Sequence, residues 1–560
     1  MGRVSLSVLA LALALAAPVA AAAPAAPVAA TPASQAALNA LFADWRRFVS
    51  PEIKAGVADY SAAAMARKAA ALPGFRQRLA AIDTRTSPVS AQIDHRMIES
   101  EMNGLDFSLR VLKPWARDPS FYASVFGEMS DVPAHEGPSA EPNIDLYAFK
   151  YPLSRADDAR LATLIGAIPA NLAAAKVNLA GSDAHDLWAY GNRAFDEQTA
   201  VLAALGKGTL VMRTLEGKIP ADAKGFSPAL RRAIAEAGAA TEDFARWVKA
   251  EAPGRKGPTG VGKANYDWYM KNVSLVPYTW DEQVVLLRRE LDRSIASLRL
   301  EEARNAKLPP MTSIEDAAAF RRMAEAKSGM FSSFLAEKGF VPDLPEYRAA
   351  IFAQTSPYEA PANRNFFGHV TALDPLPLLS HSTHWIDLAR LKYHPHASPI
   401  RQVPPLFNIY ADRSEGFATA MEELVMQAGL YDDIPHGREL VWIMLANRAA
   451  RGLASLHVQS NEIGLAEAGK FHAGWTPRGY SDANSPLVGF EQLLYARQPG
   501  YGPSYVTGKL QLDRLIADAS HAAEMAGRPF VLKDFMTAVY ASAIVPPPLI
   551  GAEMLGALLP

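Results

Sequence analysis

The sequence contains no cysteine, which excludes disulfides, thiolate metal ligands and cysteine nucleophiles together. It also lacks an excess of either charge: 56 lysines and arginines face 58 acidic residues, a formal net charge of −2. With no basic block, nothing suggests binding to nucleic acid or to an anionic membrane surface. Alternating β-branched runs are scarce, which argues against a β architecture. Long apolar runs are confined to the N-terminus. There, Met1–Ala22 carries Arg3, an apolar Val4–Ala17 too short to span a bilayer, and the small residues Ala20, Ala21 and Ala22. That is the pattern of a secretory signal cleaved after Ala22. Residues 23–33, rich in Ala and Pro, read as a disordered linker. The mature chain is therefore expected to be soluble, without a membrane span, and exported to a periplasm.

With 49% hydrophobic residues, the chain can bury a large core without disulfides. Apolar residues recur with helical period over Gln35–Arg47, Ala91–Leu112, Arg155–Leu179, Phe226–Ala250, Thr279–Ala303 and Ile314–Lys338. Ser34 is placed to cap the first, and Thr279-Trp-Asp-Glu282 to form a capping box. Breaks rich in Pro and Gly fall at Asp131–Asn143, Ala252–Gly262, Gln354–Asn365 and Tyr393–Pro405. The division is placed in the second of these, giving helical halves 34–256 and 257–560, with the chemistry in the latter. Two motifs fail on inspection. Gly257–Ala264 has Ala264 where a phosphate-binding loop needs a hydroxyl, and it follows a charged helix instead of a strand. In Gly502–Gly508 the second glycine is misplaced for a nucleophile elbow around Ser504.

Eight of the 12 histidines lie between His369 and His472. Within that span His381-Ser-Thr-His384-Trp-Ile-Asp387 precedes Ser414-Glu415-Gly416-Phe417. Imidazoles and a carboxylate from successive helices suit a zinc site with a position left for water. Other histidines are weaker candidates: His394-Pro-His396 reads as a surface turn. Arg401, Arg413 and Arg448 either bind a substrate carboxylate or serve as ion-pair residues.

The stretch Ser414–Ala418, continuing to Glu422-Glu423 and Gly429–Asp433, resembles the bacterial domain-of-unknown-function 885 family, as do Gln498–Lys509, Phe530–Phe535 and Val545–Leu549. Asn265–Tyr269 fits its midsection, so the resemblance runs from about Ala264 to the C-terminus. It implies an all-α, zincin-like body with a cleft between two helical halves, and a metallopeptidase activity on peptide or amide bonds. The family signature His-Glu-x-x-Pro-Gly-His-His is degenerate here. Ser382 stands in place of the catalytic glutamate and Asp387 in place of the second histidine. The resemblance implies zinc on His381 and Glu415, completed by His384 or Asp387. Glu422, Glu423 or Asp387 would have to replace the base, one of the two glutamates facing inward. Tyr501 and Tyr505 become candidates for stabilising an oxyanion. The alternative is an inactive member that binds peptides or partner proteins in the retained cleft. A third reading, hydrolysis by Ser382 with His384, has only sequence proximity behind it.

Overall fold

Helices carry the described chain, and the architecture is all-α. The computed structural model describes residues 33–556, so the expected signal Met1–Ala22 and all but the last linker residue lie outside the described residues. Ala33 already opens the helix Ala33–Val49; Ser34 therefore sits inside the first turn, its hydroxyl 2.9 Å from that of Ser87, and does not cap. Elsewhere the caps follow the sequence. Thr279 and Glu282 form the capping box of Trp280–Asn305. Ser227 caps Pro228–Glu251, and Asp316 caps Ala317–Glu337. Each supplies an oxygen to backbone N–H groups that the first turn leaves without partners.

Two expected long helices are interrupted. The first runs as Val89–Phe107 and widens into a π turn, Ser108–Leu112, before left-handed Lys113 and Pro114 end it. The second divides into Arg155–Gly166 and Ile168–Asn178, with Pro169 in the first turn of the latter. Together these two are long and apolar enough to cross a membrane by length and composition alone. Their buried faces, Leu161, Ile165, Ile168 and Leu172, belong to a protein core. Among the described residues, strands occur only as three short two-stranded pairs.

Two principal cores organise the chain. One gathers Ala64, Met65 and residues between Trp115 and Ala252. The other joins Leu38–Phe107 to residues spread from Leu215 to Ile550. The N-terminal helices thus pack with the later part of the chain, across the division expected at 252–262.

The helix Pro435–Gln459 is buried on nearly every face from Gly437 onwards, as a central core helix must be. It packs against Trp280–Asn305 and Tyr501–Met525. The latter in turn crosses a π turn at Asp412–Gly416 backbone to backbone. A Cβ on Gly508 would stand 2.2 Å from the Asp412 carbonyl oxygen, and one on Gly416 would stand 2.3 Å from the Gly508 Cα. Only glycines permit that approach, and it brings Tyr501 and Tyr505 to Glu415. Gly508→Ala is expected to cost about 1–3 kcal/mol or more by overpacking. The readout is the urea midpoint; an unchanged midpoint would show that the crossing is not tight.

Candidate functional site

His381 and His384 do not share one helix. Leu376–His381 ends at Ser382, and His384 opens His384–Tyr393. This break sets the two rings 5.1 Å apart and nearly perpendicular, an arrangement in which both can face one point. Glu415 reaches the same point from the π turn Asp412–Gly416, a local widening of the helix of a kind often found at functional sites. One ligand atom each from His381, His384 and Glu415 can be chosen with all three within 4.8 Å of one another, and all three residues are buried.

The outward-facing atoms of His384 and Glu415 are already engaged. His384 Nδ1 donates to the Asp131 carbonyl at 2.6 Å, which fixes the tautomer and leaves Nε2 with its lone pair. Tyr501 donates to Glu415 Oε1 at 2.7 Å, while Oε2 lies 3.2 Å from His381 Nε2. Burial, then the charge of Arg448, pushes His381 down to about 3, so its ring is neutral. Two imidazoles and one carboxylate are a donor set suited to zinc. Tetrahedral bonds of about 2.0–2.2 Å need ligand atoms roughly 3.4 Å apart, so small side-chain rotations would close the set.

Asp387 lies outside this group. Arg413 Nη1 and Nη2 donate to its two oxygens at 2.8 and 2.9 Å, with both side chains at most 4% exposed. Glu423 also points elsewhere, held by Arg293 and Lys509. Burial raises its pKa, but the Arg293 hydrogen bonds and the charges of Lys509 and Arg293 outweigh it and bring it to about 2. Glu422 does face inward: its Oε1 is 3.0 Å from His381 Nδ1 and 2.6 Å from Arg448 Nη2. Neither contact is aligned as a hydrogen bond, and both Glu422 oxygens are without one. The Ser382 hydroxyl donates back to the Leu378 carbonyl at 3.3 Å, which leaves it without nucleophile geometry toward His384. Tyr505 lies with its ring 6.0 Å from that of His381. Arg401 is engaged by Asp94, Glu553 and Ser90. His394 pairs with Glu346, and His396 accepts from the Ser398 backbone, as a turn requires.

A residue absent from the sequence reading completes the group. Glu136 lies on the 131–143 segment, its Oε1 3.0 Å from the Tyr501 hydroxyl. Burial, then the negative charges of Asp131 and Glu415, pushes its carboxyl up to about 8. The segment is anchored: His135 pairs with Asp145 at 2.7 Å and stacks on Phe126, and Arg497 donates to the Pro138 carbonyl at 2.6 Å. It therefore supplies both the acceptor that orients His384 and a carboxyl that keeps its proton at neutral pH. Two cavities flank the segment. One, of about 430 Å³, is lined by aromatic side chains such as Tyr60, Trp115 and Tyr410. The other, of about 620 Å³, is lined by Glu136, His381, Glu415, Arg448, Arg451 and Tyr505. Only the second touches the titratable cluster. A composition break marked the 131–143 segment, and nothing in its sequence connected it to residues some 250 positions later.

The chain belongs to a family described as "Bacterial protein of unknown function (DUF885)", whose model matches residues 47–339. The match covers the region where the sequence offered only a helical pattern, shares just 264–339 with the motif resemblance, and stops before His381. None of the curated proteins compared matches the sequence. Two solved structures share the fold. A candidate lipoprotein of unknown function from Shewanella oneidensis is 12% identical, with a TM-score of 0.65 over 94% of this chain and 100% of that one. A candidate lipoprotein from Colwellia psychrerythraea is 13% identical, with a TM-score of 0.63 over 93% and 97%.

Proposed function

We propose that the protein is an exported metal-dependent hydrolase of peptide or amide bonds. His381, His384 and Glu415 would hold a divalent cation, zinc by the character of the donors. The observation that carries the proposal is the convergence of these three buried groups, with the other polar atoms of His384 and Glu415 tied down by Asp131 and Tyr501. The cation would supply Lewis acidity and an activated water. Glu136 takes the part of the missing glutamate as the proton-handling group. Its carboxyl gives a proton to the leaving amine and, once ionised, accepts one from water. Tyr501 orients Glu136 and Glu415 by hydrogen bonds to both. The export signal at Met1–Ala22 and the candidate lipoproteins that share the fold support an exported, periplasmic location.

A second reading, a binding protein that retains the cavity without turnover, draws on Ser382, Glu422 and Glu423: none of the three is a free base. Hydrolysis separates the readings. Zinc-loaded protein is expected to cleave members of a short-peptide library and to lose that activity on chelation. Glu136→Gln is expected to lower kcat by about 10²–10⁴-fold, the usual contribution of a positioned acid or base, with zinc affinity retained. Unchanged kcat in Glu136→Gln would remove Glu136 from the mechanism, and absence of any cleavage by zinc-loaded protein would favour the binding reading.

A further inference from the structure

We propose that Arg448 and Arg451 form a receptor for the C-terminal carboxylate of a peptide. This makes the substrate class peptides cut near a free C-terminus, an assignment of the cut that rests on the hydrolase reading. Both arginines stand on the central helix Pro435–Gln459, three positions and so one turn apart. They are 1% and 3% exposed, and both line the 620 Å³ cavity beside His381 and Glu415.

Their guanidinium groups retain donors that the protein does not use. Arg448 Nε and Nη1 have no partner, and Nη2 approaches Glu422 off the hydrogen-bond line. Arg451 pairs through Nη1 with Glu491, and its Nε is also without a partner. Buried arginine donors are ordinarily satisfied, so several in one wall mark a place where an acceptor fits. Of the other arginines around the cavity, Arg193 is tied down by Glu197 and the Pro486 carbonyl and Arg497 by Asp118 and the Pro138 carbonyl, while Arg213 keeps an unpartnered Nε but spends its other nitrogens on Gln354 and Glu128. Arg451 lies over the Tyr505 ring, 4.1 Å from its centroid, which holds the planar fork in one orientation.

Charge selects among anions. Glu422 and Glu491 stand beside the two arginines and Glu415 lies nearby, so a dianion such as phosphate meets a more acidic surrounding than suits it, and a single carboxylate is favoured. The planar carboxylate also matches the guanidinium fork. Distance sets the register. Glu422 Oε1 bridges Arg448 Nη2 and His381 Nδ1 at 2.6 and 3.0 Å, which limits their separation to about 5.6 Å. An extended chain advances about 3.3–3.6 Å per residue, and the reacting bond would lie beyond Nδ1, on the Nε2 side of the ring that faces Glu415, so the carboxylate would sit a few residues from the bond cut.

The test measures binding, not turnover. Metal-free protein is titrated calorimetrically with N-acetyl-trialanine as the free acid, with its C-terminal amide, and with an amidated analogue ending in glutamate. The free acid is expected to bind at least tenfold more tightly than either amide. Arg451→Gln is expected to erase the difference and Arg451→Lys to restore part of it. Equal affinity for acid and amide, equal affinity for the glutamate amide, or no binding of the acid would overturn the proposal. Should Arg451→Gln fail to fold, the comparison on the unaltered chain still decides. Acid preference without hydrolysis would leave the receptor standing and remove the hydrolase. Hydrolysis without acid preference would do the reverse.

Discussion

Asp387→Ala is expected to destabilise the protein by about 3–5 kcal/mol while leaving cation uptake at one per chain. The substitution strands the Arg413 guanidinium, 1% exposed, without the two charge-assisted hydrogen bonds that compensate its burial. Removing one member of a buried pair costs in this range because the remaining charge stays desolvated. Arg413 also lies over the rings of Phe417 and Tyr540, so it has no ready route to water. Replacing both members, as Asp387→Leu with Arg413→Met, should recover most of the loss, since apolar residues of similar volume often match a buried ion pair. Urea unfolding of the three variants reads the pattern. A metal ligand at Asp387 would give the opposite one: cation binding lost and little change in the metal-free midpoint.

Glu415→Ala is expected to have the largest effect on cation binding. It removes the only carboxylate among the three ligand residues and an acceptor of the Tyr501 hydroxyl. Losing a hydrogen-bond partner of a ligand typically lowers metal affinity about 10–100-fold, and losing the ligand should lower it further. Tyr501→Phe should therefore fall within that range and Glu415→Ala beyond it. Glu423→Ala should leave affinity unchanged, because Glu423 faces Arg293 and Lys509 and not the site. Zinc titration of the three proteins checks the order. Equal loss in Glu415→Ala and Glu423→Ala would mean that the loss comes from disturbed packing and that Glu415 is not a ligand.

The helical fold was legible because it rests on local signals. Apolar spacing, the Thr279 box and the scarcity of alternating runs act within a few residues, and the structure keeps them. Ser34 shows the limit: a helix that already includes Ala33 puts it in the interior and not at the cap, and its hydroxyl found Ser87. His381, Glu415 and Tyr501, singled out from motif and spacing, do come together in the structure. Whether His384 or Asp387 completed the group was not readable, because the choice depends on a helix break at Ser382 and on Arg413, a residue 26 positions beyond Asp387. The roles of Glu136 and of the Asp131 carbonyl were invisible for a deeper reason. They depend on where a Pro- and Gly-rich segment crosses a distant part of the chain, and that path is set by packing, with anchors at His135, Asp145 and Arg497. Arg451 lay within reach of the sequence, one turn after Arg448 on a strongly apolar helix, where a second buried guanidinium calls for a reason.

The most direct test of the central claim, that His381, His384 and Glu415 hold one divalent cation, is zinc titration of the purified, chelator-treated protein beside His384→Ala, with thermal unfolding of both followed in parallel. The unaltered protein is expected to bind about one zinc per chain with a rise in unfolding temperature, and His384→Ala to lose both. No saturable zinc binding in the unaltered protein, or binding retained in His384→Ala, would contradict that claim.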